Sequence, residues 1–103
     1  MGESIEIREA RIVLPRVNLN RKEFEGFLVR SFGGFTRTRG DGAWMNPKGG
    51  IVLDKVWVYD VAATDTPDTT ASLRAICRRM AKAYSQDCVY LRLPGGTVEF
   101  IDP

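Results

Sequence analysis

Along this chain the spacing of apolar residues switches between the twofold alternation of a strand and the three-to-four spacing of a helix. The order of those switches limits the fold more than any other feature. Ser4 to Leu14 is rich in Ile and Val alternating with charge, and Pro15 closes it. Its apolar parity shifts from Ile5 and Ile7 to Ile12 and Leu14, which predicts a strand with a bulge near Glu9 to Arg11. Asn20 and Glu23 stand at capping-box spacing. Phe24, Phe27, Leu28 and Phe32 follow at helical spacing, and Gly33-Gly34 offers a C-terminal cap, so a helix of about three turns is expected. A strand from Phe35 to Trp44 then returns through the turn Asn46-Pro47-Lys48-Gly49-Gly50 into Ile51 to Val61. In that last segment Val56 and Val58 point to one side and Trp57, Tyr59 and Val61 to the other. Apolar groups on both sides predict a central strand covered twice.

The second half repeats the alternation. Pro67 and Asp68 suit a helix start after a polar connection, and Leu73, Ile76, Cys77, Met80 and Tyr84 recur at spacings of three and four. Cys88 to Leu93 and Thr97 to Ile101 form a last hairpin across Pro94-Gly95-Gly96. The expected fold is therefore α+β, a ferredoxin-like β-α-β-β-α-β with an extra C-terminal strand: an antiparallel sheet with two helices on one face. With 103 residues the chain makes a single domain, 1-103. Two helices leave the other sheet face bare, and Trp57, Tyr59 and Tyr90 are expected there as a homo-oligomer interface.

An apolar fraction of 44% and a charged fraction of 27% are ordinary for a globular protein, and a net charge of +2 permits nucleic-acid binding without demanding it. No apolar run approaches the length of a membrane span, and MGESIEIRE lacks the apolar core of a signal peptide, so a cytoplasmic protein with no membrane partner is expected. Cys77 and Cys88 form no metal motif, the chain has no histidine, and both cysteines read as packing residues. No cofactor or metal is expected.

The candidate site lies in Ser31 to Gly50, which holds six of the ten glycines. The glycines match no phosphate-loop or dinucleotide fingerprint, because they precede a strand where a helix is required. Arg37 and Arg39 alternate along a strand and can together grip a phosphate or carboxylate, or simply keep an edge strand soluble. With Asp41, Trp44 and Lys48 they form the expected ligand- or partner-binding set, for a protein target or a nucleotide-like anion. Arg74, Arg78, Arg79 and Lys82 line the polar side of the second helix, either as a solvated face or as a footprint for nucleic acid. Acidic residues show no spacing that forces a catalytic pair, and without histidine the commonest general base is absent, so no catalytic residue is assigned.

Gly33-Gly34-Phe35-Thr36, then Gly42-Ala43-Trp44, a glycine turn and a valine-rich strand, with a later Gln86-Asp87-Cys88-Val89-Tyr90-Leu91-Arg92, resembles small proteins carried by phages and plasmids. The resemblance implies a compact α+β domain in a mobile-element setting and transfers no site residue. Together these readings favour a non-catalytic binding protein, a counter-defence inhibitor or sequestering protein. The alternatives are a nucleic-acid-binding protein and a small enzyme of the dimeric ferredoxin-like type. The enzyme reading calls for an enclosed pocket between helices and sheet holding a Tyr or Asp of perturbed ionisation.

Overall fold

The computed structural model describes residues 6–17 and 19–103. In chain order its elements are β1 (Ile7–Pro15), α1 (Arg21–Phe32), β2 (Thr36–Met45), β3 (Ile51–Thr64), α2 (Pro67–Ala83), β4 (Val89–Arg92) and β5 (Val98–Ile101). The five strands form one sheet in the order β2-β3-β1-β4-β5. Every neighbouring pair is antiparallel. This is the ferredoxin-like α+β architecture with an added strand.

Side-chain alternation decides what the sheet buries. Ala10, Ile12 and Leu14 of β1, Tyr59 and Val61 of β3, and Val89 and Leu91 of β4 share one core with Phe24 and Leu28 of α1 and Leu73, Ile76, Cys77 and Met80 of α2. Both helices therefore cover the same sheet face. Tyr59 lies at the centre of the contact with α1, edge-on to Phe24 at 4.9 Å and to Phe35 at 5.5 Å between ring centroids. In α2, Thr66 caps the first turn by accepting from the Thr69 amide, and Pro67 at the first position gives up no hydrogen bond. Gly33 closes α1 in the left-handed region (φ 88°) and donates to the Val29 carbonyl.

Four local expectations need correction. The register of β1 against β3 runs unbroken from Ile7↔Thr64 to Pro15↔Val56, so no bulge interrupts it. The parity shift has a simpler cause: Ile7 is 61% exposed at the strand end, facing away from the helices; Ile5 lies outside the described residues. The capping box does not form either. Asn20 adopts φ 60° and its side chain caps nothing, while Glu23 pairs instead with Arg79 of α2. Next, β3 is not covered twice, because both helices lie on one side of the sheet. Finally, Trp57 and Tyr59 share the parity of Val61 and point to the helices, so of the three expected interface aromatics only Tyr90 stands on the open face.

The β2–β3 hairpin outruns the rest of the sheet. Its ladder continues to Met45↔Ile51, whereas β1 stops pairing with β3 at Val56. Residues 42–54 thus form an arm, and the molecule extends 57 Å against 26 and 22 Å in the other directions. Its radius of gyration of 14.4 Å exceeds the roughly 13 Å of a compact chain this size. At the tip Asn46 accepts from the amides of Lys48 and Gly50, and Gly49 takes φ 83°. Met45, Ile51 and Leu53 stand 69%, 74% and 81% exposed on this arm.

Candidate functional site

The turn at the arm fixes the parity of everything beside it. Because Trp44 pairs with Val52 and Arg39 with Trp57, even-numbered residues of the hairpin face the open side and odd-numbered ones face the helices. The expected set Arg37, Arg39, Asp41, Trp44 and Lys48 is therefore split. Arg37 and Arg39 project over the helix face, and Asp41 follows them opposite Lys55. Trp44 stands on the opposite face, and exposed Lys48 sits in the turn. Strand alternation alone separates them.

The open face carries a groove of about 450 Å³ between the arm and β4–β5. Trp44 and Asp54 supply one wall from the arm; Asp87, Cys88, Tyr90 and Phe100 supply the other. Tyr90 and Phe100 pack edge-to-face at 6.0 Å, though Phe100 remains 66% exposed, and Trp44 is 49% exposed. Gly42 lines the groove without a side chain, leaving bare backbone there. Cys88 is exposed and not a packing residue, unlike Cys77, which is fully buried. Partial burial, with Asp102 and Asp87 close by, pushes the Cys88 thiol above its ordinary range, which makes it a poor nucleophile near neutral pH. Burial pushes the Cys77 thiol up to about 12. Sequence reading missed Asp54, Asp87 and Phe100. For Asp54 the signal was present, since its even number places it beside Trp44 once the hairpin is drawn.

The helix face holds a second constellation. The Trp57 ring is surrounded by the guanidinium groups of Arg16, Arg21, Arg37 and Arg39, with Arg37 at 4.6 Å from the ring centroid. Glu25 of α1 anchors it: one carboxylate oxygen accepts from Arg37 at 2.5 Å and from the Tyr59 hydroxyl at 2.7 Å. Desolvation, then the bond to the Glu25 carboxylate, holds the Tyr59 phenol well above its usual ionisation range. Tyr59 has the perturbed ionisation asked of a small enzyme, yet it is 1% exposed in packed core and lines neither the open-face groove nor the space between the helices. The space between the helices, about 230 Å³, lies elsewhere, beside Glu23, Arg30 and Arg79.

On α2 the basic row is partly spent within the molecule. Arg74 grips Glu99 of β5 through two bonds of 2.8 and 2.6 Å, and Arg79 pairs with Glu23. Arg78 and Lys82 are left to solvent. Two paired arginines tie the helix to its neighbours, which weakens the reading of this face as a phosphate footprint.

No protein-family model matches the sequence, and no curated protein matches it. Among solved structures, a phage SAM lyase in complex with S-methyl-5'-thioadenosine resembles it from end to end, with a TM-score of 0.64 over 100% of this chain and 96% of that one. The same fold serves an enzyme. At 14% identity the likeness establishes the architecture. It nonetheless overturns the expectation of a non-catalytic binding protein, which rested on the missing histidine and the lack of a paired-carboxylate motif. A full-length neighbour with this element order is a catalyst, so neither absence argues against catalysis in such a chain.

Proposed function

We propose that this protein is a small lyase acting on a sulfonium nucleoside of the S-adenosylmethionine type, with the open-face groove as its site. The observation that carries the reading is the end-to-end likeness to a phage SAM lyase. The groove supports it on separate chemical grounds. Its volume of about 450 Å³ falls in the range of small-molecule sites. Trp44 and the Tyr90–Phe100 pair offer flat surfaces for a purine. Asp54 and Asp87 offer acceptors for ribose hydroxyls and the substrate ammonium group.

The chemistry asks little of acid–base groups. Release of S-methyl-5'-thioadenosine breaks the bond between sulfur and the four-carbon amino-acid chain. Sulfur keeps the electron pair and becomes neutral. Without water, the substrate's own carboxylate oxygen bonds to the chain carbon as the carbon–sulfur bond breaks, closing a lactone with no proton to be removed from carbon. Positive charge disappears from sulfur as the bond breaks, so an aromatic surrounding poor in water favours the reaction over a strongly solvated one. In this scheme the aromatics hold and shield the nucleoside, and the two aspartates orient it.

Exposure of Phe100 and Trp44 leaves the groove incomplete as a water-excluding site. A second copy of the chain lying on the open face would close it, in keeping with the homo-oligomer expected from the sequence. In the phage setting suggested by the sequence, destroying a methyl donor would serve counter-defence by turnover.

The test is incubation of purified protein with S-adenosylmethionine, followed by mass spectrometry for S-methyl-5'-thioadenosine. Turnover above the uncatalysed background is expected, with Trp44→Ala and Asp54→Asn each lowering kcat/KM at least tenfold. Folded protein that releases no thioadenosine and does not bind it in calorimetry would sink the proposal.

A further inference from the structure

The cluster around Trp57 lies across the sheet from the groove and takes no part in the proposed reaction. All four guanidinium carbons, of Arg16, Arg21, Arg37 and Arg39, lie inside a sphere of 5.8 Å radius about the ring centroid. Among the described residues Glu25 is the one carboxylate paired with them, 2.5 Å from Arg37 and 3.9 Å from Arg21. Four positive charges thus meet one negative charge.

Acceptors are short as well. The Glu25 oxygen nearest the cluster already serves both Arg37 and the Tyr59 hydroxyl. The Trp57 indole Nε1 and Arg21 Nε are both shielded from solvent and have no hydrogen-bond acceptor among the described residues. Shielded donors without acceptors are costly, and the aromatic face offsets only part of the mutual repulsion of the guanidinium groups. An anion entering the cluster would relieve both deficits at once. Arg21 is also the first residue of α1, so the positive end of the helix adds to the same field.

We propose that this cluster is a second ligand site, for a compact and multiply charged phosphate of the diphosphate type. Compactness follows from the geometry, because the arginines converge on one ring instead of spacing themselves along a groove. Nucleic-acid phosphates succeed one another along a strand and call for an extended basic track. Arg16 and Arg39 are the residues to test, since neither has an ion-pair partner among the described residues and neither is needed to hold Glu25.

The experiment follows the Trp57 indole N–H resonance, assigned with Trp44→Phe, during titration with inorganic diphosphate. A saturable shift is expected where sodium chloride of equal ionic strength leaves the resonance in place. Arg16→Ala and Arg39→Ala should each weaken the apparent affinity about tenfold with an unchanged thermal midpoint. Arg39→Gln, which keeps a polar side chain without the charge, should match Arg39→Ala. Equal shifts from chloride and diphosphate, or unchanged affinity in folded variants, would overturn the proposal. So would a ten-nucleotide single strand that binds tighter than diphosphate, because that would make the cluster part of a nucleic-acid track. Thioadenosine release is read at the other sheet face, so failure of the lyase reading leaves this test intact.

Discussion

Glu25 is the residue on which the helix face turns. It is a helical carboxylate that receives a phenol and a guanidinium from two different strands. Removing the phenol tests this directly. Tyr59→Phe keeps the ring against Phe24 but deletes the bond to Glu25, and it should lower stability by about 1.5 kcal/mol at neutral pH in chemical denaturation. A pH dependence follows too. The phenol ionises less readily folded than unfolded, so its stabilisation is complete below about pH 10 and declines as pH rises through its raised folded value. Tyr59→Phe should flatten that alkaline decline, and equal losses in both proteins would refute the assignment. None of this is legible in the sequence, because the strand pattern groups Tyr59 with Trp57 and Val61 but does not reveal whether that side meets the helices, nor which helix residue meets the hydroxyl.

At the scale of elements, periodicity carried the reading furthest. Leu73, Ile76, Cys77 and Met80 are buried as their spacing requires, and Pro67 opens the helix they belong to. Motif spacing did worse. Asn20 and Glu23 match a capping box, yet a left-handed backbone at Asn20 turns the side chain away and an arginine 56 residues later claims Glu23. A local motif is outcompeted when tertiary partners offer a better bond. Substitution separates the two pictures: Asn20→Gly should keep or raise the unfolding midpoint, while Asn20→Ala should cost about 1 kcal/mol for its strained backbone. Equal losses would mean that the side chain caps the helix after all. A core helix position gives the scale for comparison, since Leu28 is 0% exposed and Leu28→Ala should cost about 3 kcal/mol.

For the molecule as a whole, the order of elements could be read from the sequence but the identity of the faces could not. Two aromatics expected on the open face point to the helices, because a strand with apolar groups on both sides gives no sign of which side the helices choose. The groove was hidden for a related reason. It joins the hairpin arm to β4 and β5, and residues brought together by sheet order leave no spacing signal in the chain. Native mass spectrometry tests the molecular-scale proposal: an oligomer is expected, with Phe100→Asp shifting it to monomer and lowering lyase turnover in the same samples. A wild-type monomer that turns over at full rate would show that a single copy is a sufficient enzyme.

The arm has one more consequence, for aggregation. β2 is an edge strand, and among the described residues no strand pairs with its outward side. Arg37, Arg39 and Asp41 place charge on every second residue of its first half, the usual guard against another strand adding on. From Gly42 to Met45 that guard is missing, and the neighbouring side chains are apolar. Whatever neutralises the two arginines leaves more of this edge open to its own copies. The same residues that attract an anion therefore also keep the protein from extending its sheet.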